Sequence, residues 1–329
     1  MKRIKSLDGL KYILITLVVI GHFIEPSRYN NIISGHLYSL IYSFHMPLFI
    51  WMNGFFYKNR ILSEEVKKCL PLFEVCIISH IAFALLKDGC LTLSNMLFFS
   101  YTPAWYLLSL IYWRIASSLL IGKYNVKIIL IFSILLEVVT FVVVPKYGGF
   151  LSLVRAFQFY PFFILGYLMK NYLSLLEQFL KPIIFIGVIS LFYIMITSCY
   201  FQHQCFFQRA GLLELKQLTE HSLLWILAFR YSIIVSSTAV CALVLLLSYR
   251  SNYLQKVALY GQGTLFIYFG QTLLYPISLR YCSALTTSLI ASAFAIIFLT
   301  YLSSKPLSKW IMSPITSLLA SKQLLDTKG

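Results

Sequence analysis

Residues 128–144 read IILIFSILLEVVTFVVV, and residues 182–196 read PIIFIGVISLFYIMI. Each is a continuous apolar run close to the length a helix needs to cross a hydrocarbon core. In lipid the backbone must satisfy its own N–H and C=O groups, which leaves α-helices and closed barrels. A barrel strand would alternate apolar and polar residues over short stretches, and these runs do not alternate. Stretches of the same kind recur on both sides: Leu10–Ile24, Leu37–Phe56, Cys69–Leu86, Ala104–Ile121, Lys127–Val144, Phe157–Met169, Pro182–Cys199, Leu224–Ser248, Ala258–Leu279 and Ala284–Ser303. Turn-rich breaks separate them at Glu25-Pro26-Ser27, Tyr101-Thr102-Pro103, Lys146-Tyr147-Gly148-Gly149 and Ser303-Ser304-Lys305-Pro306. The expected fold is all-α, a polytopic membrane protein with about ten transmembrane helices. Residues 1–329 read as a single membrane domain, with no soluble domain, low-complexity tract or internal repeat.

Composition agrees. Of 329 residues 59% are hydrophobic and 12% charged, too little polar material for a soluble domain of this size. The formal net charge of +16 would suggest a nucleic-acid partner in a soluble chain. In a membrane protein the excess of Lys and Arg in cytoplasmic loops explains it, so no nucleic acid is expected. Seven cysteines fall in no CxxC or Cys/His pattern, so neither a metal site nor a redox motif is expected. Cys199 and Cys205 could pair if their loop faces an oxidising compartment, though buried free thiols are the simpler expectation. Lys2, Arg3 and Lys5 ahead of an apolar run imitate a signal peptide. The run carries polar residues and no small-residue cleavage site follows it, so it reads as a retained first helix.

Ten spans put both termini on one side. The ends that would be inner collect Lys2, Arg3, Lys5, Lys58, Arg60, Lys67, Lys68, Lys123, Lys127, Lys170, Lys181, Arg250, Lys256 and the C-terminal lysines. The opposite ends hold chiefly Arg28, Lys87, Lys146, Arg155, Arg209, Lys216, Arg230 and Arg280. This bias places both termini in the cytoplasm.

Ionisable residues inside a span are expensive and mark candidate sites. On the first helix Lys11 and His22 are eleven residues apart, so they share a face and lie roughly 16 Å apart along the axis. Asp8, one turn below Lys11, can pair with it. The stripe runs from a cation at the inner end to an imidazole at the outer end. The bland alternative is a charged anchor at one end and a capped His at the other. His45, beside Pro47, is either a catalytic group or a structural His bonding a carbonyl that the proline frees. Arg114 and Glu137 sit mid-span on the fourth and fifth helices, as an interhelical ion pair or a ligand site. Thr264, Tyr268, Gln271 and Tyr275 follow a four-three-four spacing and form one stripe. By this topology His22, His45, Glu137, Trp105, Arg155 and Gln271 fall in the outer half. Lys11, Arg60, Lys67 and Lys68 fall at the inner end, which suits a donor from the cytoplasm and an acceptor outside.

These residues resemble a known family. Ser6-Leu7-Asp8-Gly9-Leu10-Lys11, followed by Val18-Val19-Ile20-Gly21-His22, is similar to the first helix of membrane acyltransferase family 3, where a basic residue is followed, ten positions between, by an essential His. Phe44-His45-Met46-Pro47-Leu48-Phe49 through Asn53-Gly54-Phe55 resembles the family's His-Met-Pro stretch, which ends in a small-Gly-aromatic turn. Lys67-Lys68-Cys69-Leu70-Pro71, Ala104-Trp105-Tyr106-Leu107, Arg155 with Phe162-Phe163-Ile164-Leu165-Gly166-Tyr167, and Tyr260-Gly261 through Tyr268 resemble later segments in the family's order. The resemblance implies about ten helices, an acyl-CoA donor (usually acetyl-CoA), a sugar hydroxyl of a glycan or lipid-linked oligosaccharide as acceptor, and a bacterial cytoplasmic (inner) membrane location in contact with lipid. Departures stand out: lysines replace arginines at 11, 67 and 68, so point charges replace bidentate phosphate contacts. Gln271 stands where relatives often have His. Nothing after the last helix suggests the esterase-like domain that some relatives carry.

Acyl transfer from a thioester needs a base for the attacking hydroxyl and donors for the oxyanion. His22 is the expected base, or alternatively a transient acyl carrier. His45, Glu137 and Gln271 are candidate orienters or oxyanion donors. Lys11, Lys67, Lys68 and Arg60 would bind the phosphates of the acyl-CoA, Trp105 and Arg155 the sugar, and Gln271 is also a candidate substrate contact. A lipid-linked glycan flippase, or a glycan polymerase, is the competing reading, because transporters also use intramembrane charges and broken helices. The order of motifs favours the acyltransferase.

Overall fold

The computed structural model describes residues 4–97, 102–143, 149–172, 178–197, 211–217, 219–306, 308 and 312. Among them there is no strand, only an isolated bridge between Ile121 and Tyr124. The helices are α1 Lys5–Ile24, α2 Ile32–Phe56, α3 Leu62–Asp88, α4 Leu93–Leu97, α5 Trp105–Leu120, α6 Val126–Val143, α7 Leu153–Met169, α8 Leu180–Thr197, α9 Leu212–Gln217, α10 Leu223–Tyr249, α11 Asn252–Lys256, α12 Thr264–Tyr281 and α13 Leu285–Ser303. The ten expected stretches coincide with the long helices; α4, α9 and α11 are short additions. Cys199, Cys205, Lys2, Arg3, Lys146, Arg209 and the C-terminal lysines Lys322 and Lys328 lie outside the described residues.

Among the described residues six helices are long and apolar enough to cross a membrane: α1 with its extension to Tyr29, α3, α6, α8, α10 and α13. The others are shorter or interrupted by Ser, Tyr, His and Gln. Burial varies widely among these six. In α1 61% of the most apolar stretch is buried in protein, against 17% in α8. A helix facing lipid must be apolar all round, whereas an interior helix can carry polar groups that its neighbours satisfy. Helix α1 is interior: α2, α10, α11, α12 and α13 all pack on it.

Glycines set the closest crossings. A Cβ on Gly54 of α2 would run into the carbonyl of Phe163 on α7, and one on Gly166 of α7 into the carbonyl of Trp51. At the N-terminal end of α1 the backbone of Gly9 meets the carbonyl of Leu254, and Gly261 meets that of Asp8. Such backbone contact is how membrane helices gain packing where lipid offers no hydrophobic drive. Gly54 therefore sits in a helix–helix contact and not in the turn expected of the Asn53-Gly54-Phe55 stretch; α2 is helical through Phe56.

Two further expectations change. Glu25-Pro26-Ser27 does not break the chain but opens a 3₁₀ turn, Glu25–Tyr29, that prolongs α1. Pro26 has no N–H to give to the His22 carbonyl one turn back, and the Ser278 hydroxyl of α12 donates to that carbonyl instead. Helix α2 begins at Ile32, capped by the Asn31 side chain, which accepts from the Ser34 amide at 3.0 Å. His45 consequently lies mid-helix. Pro47 frees the carbonyl of Ser43, and the Ser237 hydroxyl of α10 donates to it.

Candidate active site

The C-terminal end of α1 gathers five polar side chains. His22 is partly buried, with a side-chain exposure of 14%. Its Nδ1 lies 3.3 Å from the Tyr42 hydroxyl of α2 and 3.7 Å from Oε2 of Glu25. The 3₁₀ turn creates this arrangement: by continuing the helix it puts Glu25 one turn beyond His22 on the same face. The Tyr275 hydroxyl of α12 donates to Glu25 Oε2 at 2.5 Å, and Arg28 Nη1 to Oε1 at 3.0 Å. The Tyr275 ring also lies on the imidazole, with centroids 4.5 Å apart. Arg28 is enclosed by the rings of Tyr29 and Tyr38. Among the described residues Nε2 of His22 makes no hydrogen bond. His80 on α3 is different: its two nitrogens meet Thr102 Oγ1 at 3.0 Å and the Asn95 carbonyl at 2.8 Å. Both of its nitrogens are engaged in structure, while one of His22's is left for a ligand.

His45 joins this group from the other side of Tyr42, edge-on at 4.6 Å between centroids. It is buried, and its Nδ1 donates to the Ile41 carbonyl at 2.7 Å, one turn back along α2. That carbonyl is not the one Pro47 frees, so His45 is not the carbonyl substitute that its place beside Pro47 suggested.

Glu137 is placed elsewhere. Its oxygens accept from Arg230 Nη2 at 2.5 Å and from the Tyr231 hydroxyl at 2.9 Å, both on α10, and Arg230 also covers the Phe141 ring. The carboxylate beside His22 is Glu25, and Glu137 pairs with α10 instead. Nor does Glu137 pair with Arg114: the guanidinium of Arg114 meets Glu65 Oε1 at 2.5 Å, and Arg60 meets the other oxygen at 3.3 Å. Both corrections have one cause. Mid-span charges pair with whichever helix is adjacent, and adjacency is a tertiary fact.

Cations lie at the N-terminal end of α1, at the start of α3 and at the end of α7. Lys11 Nζ is 3.2 Å from Asp8 and lies over the Phe56 ring at 4.1 Å. Two guanidiniums on the buried Glu65 leave Arg60 and Arg114 a net positive pair. Lys67 and Lys68 are exposed on the first turns of α3. Lys170 donates to the Tyr57 carbonyl at 2.5 Å; burial, with Lys58 nearby, pulls it below the ordinary lysine value.

Trp105 and Arg155 are brought together. The guanidinium lies 5.0 Å above the indole, and Phe159 stacks on the same ring at 5.5 Å. The turn that delivers Arg155 is strained, with Leu151 and Ser152 both left-handed at φ 45° and 56°. Such residues cost about 1–3 kcal/mol each and cluster at functional sites. Gln271 is fully buried on α12, one turn inside Tyr275, and its amide donates to Thr272 Oγ1 at 3.2 Å. The α12 stripe divides: Tyr275 goes to Glu25, while the Tyr268 hydroxyl donates to the Pro103 carbonyl.

Reading the sequence overlooked Glu25, Arg28, Tyr42 and Glu65. For Glu25 and Arg28 a signal existed, since 22, 25 and 28 continue the Lys11 face at three-residue steps. Pro26 hid it by suggesting a break. Tyr42 carries no local signal among so many tyrosines.

Comparison with known proteins places these residues in a family. A family model described as an acyltransferase domain matches residues 4–309. The nodulation protein NolL of Sinorhizobium fredii (strain NBRC 101917 / NGR234) is 29% identical over 183 residues, which cover 50% of this chain and 48% of that protein. The chain thus spans about half the length of the curated relative it matches. No solved structure matches. A match over nearly all of the chain, on a bundle whose first helix carries the Lys11–His22 stripe, establishes that the chain belongs to the membrane acyltransferase family 3.

Proposed function

We propose that the protein is a membrane O-acyltransferase, specifically an O-acetyltransferase. It takes the acyl group from cytoplasmic acyl-CoA and gives it to a sugar hydroxyl of a surface polysaccharide or its lipid-linked precursor. It crosses the bacterial inner membrane ten times with both termini in the cytoplasm. The observation that carries this reading is the first helix itself. An imidazole with an unbonded nitrogen sits at one end and a lysine sits about 16 Å away at the other, on one face of an interior helix.

In this reading His22 Nε2 takes the proton of the acceptor hydroxyl as its oxygen attacks the thioester carbonyl. The new C–O bond forms, the C–S bond breaks, and the leaving thiolate takes the proton from Nε2–H to give free CoA. The tetrahedral oxyanion needs donors, and the Gln271 amide of α12 is the side-chain candidate. Lys11, Lys67, Lys68 and the Arg60–Arg114 pair supply the positive charge for the CoA phosphates. Trp105 and Arg155 hold the sugar, although the indole already carries Arg155 and Phe159, so the sugar would contact the Arg155 edge of the pair.

Sidedness tests the proposal. Labelled acetyl-CoA supplied to membrane vesicles of defined orientation should react only from the cytoplasmic face. Label should then appear on glycan at the opposite face. Glycan crossing without acyl-CoA, together with no labelled ester, would overturn the acyltransferase in favour of the flippase.

A further inference from the structure

The acyl-transfer reading needs His22 Nε2 to arrive unprotonated at the acceptor, and an imidazole alone does not guarantee that. Neutral histidine has two tautomers, and the hydrogen bond made by one nitrogen decides which form is present. Two groups face Nδ1 in this structure. Tyr42 offers a hydroxyl at 3.3 Å, which can donate or accept. If it donates, the proton of His22 sits on Nε2 and the base is lost. Glu25 Oε2, at 3.7 Å, can only accept.

The carboxylate is held firmly in that place. Arg28 donates to one oxygen and Tyr275 to the other, and the Tyr275 ring lies 4.5 Å from the imidazole it flanks. Tyr275 stacks in turn on Phe83 of α3, so the arrangement is fixed by packing from a third helix. The backbone adds a constraint, because Ser278 of α12 donates to the His22 carbonyl at 3.5 Å and ties the two helix ends together. With Glu25 charged and immobile beside it, Nδ1 gains by keeping its proton, and the Tyr42 oxygen accepts from the same N–H.

We infer that Glu25 is a positioning residue for His22: it holds the proton on Nδ1, leaves Nε2 bare toward the acceptor hydroxyl, and is itself held by Tyr275 and Arg28. During transfer the imidazole gains a second proton, and the cation so formed faces a fixed carboxylate, which favours the charged state the reaction passes through. The inference rests on the acyl-transfer reading for its purpose. Its structural content, the tautomer, can be measured without a donor.

The experiment uses the full chain in lipid nanodiscs, with histidine ring nitrogens labelled by ¹⁵N and the His22 signals assigned by their loss in His22→Gln. Wild-type protein should show His22 protonated on Nδ1 and bare on Nε2. Glu25→Ala should move proton occupancy toward Nε2. A wild-type spectrum with the proton on Nε2, or a His22 tautomer unchanged in Glu25→Ala, would overturn the inference. Should Glu25→Ala not fold, the wild-type spectrum and Glu25→Gln still decide it. In parallel, turnover with labelled acetyl-CoA should fall about 100-fold or more in Glu25→Gln, with the apparent affinity for acetyl-CoA unchanged. Glu25→Asp should recover part of the rate, and Tyr275→Phe, which keeps the ring stack, should lose less than Glu25→Gln. A rise in KM with turnover unchanged would make Glu25 a structural residue and overturn its positioning role. If wild-type protein shows the expected tautomer and transfers no acetyl group, the acyl-transfer reading fails and the Glu25–His22 coupling stands.

Discussion

Two buried carboxylates, Glu25 and Glu137, have nearly the same partners. Glu25 meets an arginine at 3.0 Å and a tyrosine hydroxyl at 2.5 Å. Glu137 meets an arginine at 2.5 Å and a tyrosine hydroxyl at 2.9 Å. Each pair offsets the cost of keeping a charge away from water. What differs is the third neighbour. Glu25 has His22, whose second nitrogen is uncommitted, on the most enclosed long span. Glu137 has a Phe141 ring under its arginine and joins α6 to α10. A buried carboxylate is therefore no sign of chemistry by itself. It becomes one when the network it belongs to ends in a group that can still exchange a proton.

The largest effect should come from the group that makes the difference. His22→Ala should leave the protein inserted and abundant but lower acetyl transfer by about a thousandfold, within the range that a general base contributes. Acetyl ester on the glycan of a strain carrying only this variant is the measurement, and wild-type levels would break the contrast at its root.

The next effect belongs to Glu137 and should appear in stability rather than rate. Glu137→Ala leaves the Arg230 charge buried without its carboxylate, a loss of about 3–5 kcal/mol for pairs of this kind. Thermal unfolding in detergent should show it. The double change Glu137→Leu with Arg230→Leu should recover most of the stability, because a packed apolar pair can replace a buried ion pair at little cost. Activity per folded molecule should stay within about twofold in both, since neither residue touches the reacting atoms. Loss of transfer in folded Glu137→Ala protein would give the two carboxylates equal standing.

The same contrast shows what could be read from sequence. Helices were legible because their apolar runs are long, and every expected stretch has its helix. Glu137 was legible as unusual, because a charge inside residues 128–144 has no cheap place to go. Its partner was not legible: Arg114 and Arg230 are both mid-span arginines, and only the packing of α6 on α10 side chains separates them. Glu25 was misplaced for a local reason. Glu-Pro-Ser reads as a turn, yet Pro26 enters a 3₁₀ extension that keeps the helical face going. The His22–Lys11 spacing survived because eleven residues close three helical turns regardless of what packs nearby.

Tyr42 offers a finer test of the His22 site, because it touches both histidines. Tyr42→Phe keeps the edge-on ring contact with His45 and removes the hydroxyl from Nδ1. If Glu25 alone suffices to hold the Nδ1 proton, turnover should fall by about tenfold or less, in line with one lost hydrogen bond. A loss as deep as His22→Ala would make the tyrosine, and not the carboxylate, the group that sets the tautomer.

The smallest expected effect lies at the other end of α1, where charges meet water. Lys11 is half-buried between Asp8 and the Phe56 ring, whereas Lys67 and Lys68 are exposed. A cation held by neighbours loses less freedom on meeting a phosphate, so Lys11→Ala should raise the apparent KM for acetyl-CoA by more than the Lys67→Ala/Lys68→Ala double change. We expect about five- to tenfold for the first and about twofold for the second, in the range of partly exposed and exposed ion pairs. Salt separates them further. At about 1 M ionic strength the screening length falls to about 3 Å, which should erase the double-variant effect and leave part of the Lys11 effect. Lys11→Arg should retain more activity than Lys11→Ala, because a point charge is what the position supplies. An unchanged KM in all of these variants would return the lysines to the role of membrane anchors. The His22 cluster would then be the one part of α1 with a claim on the chemistry.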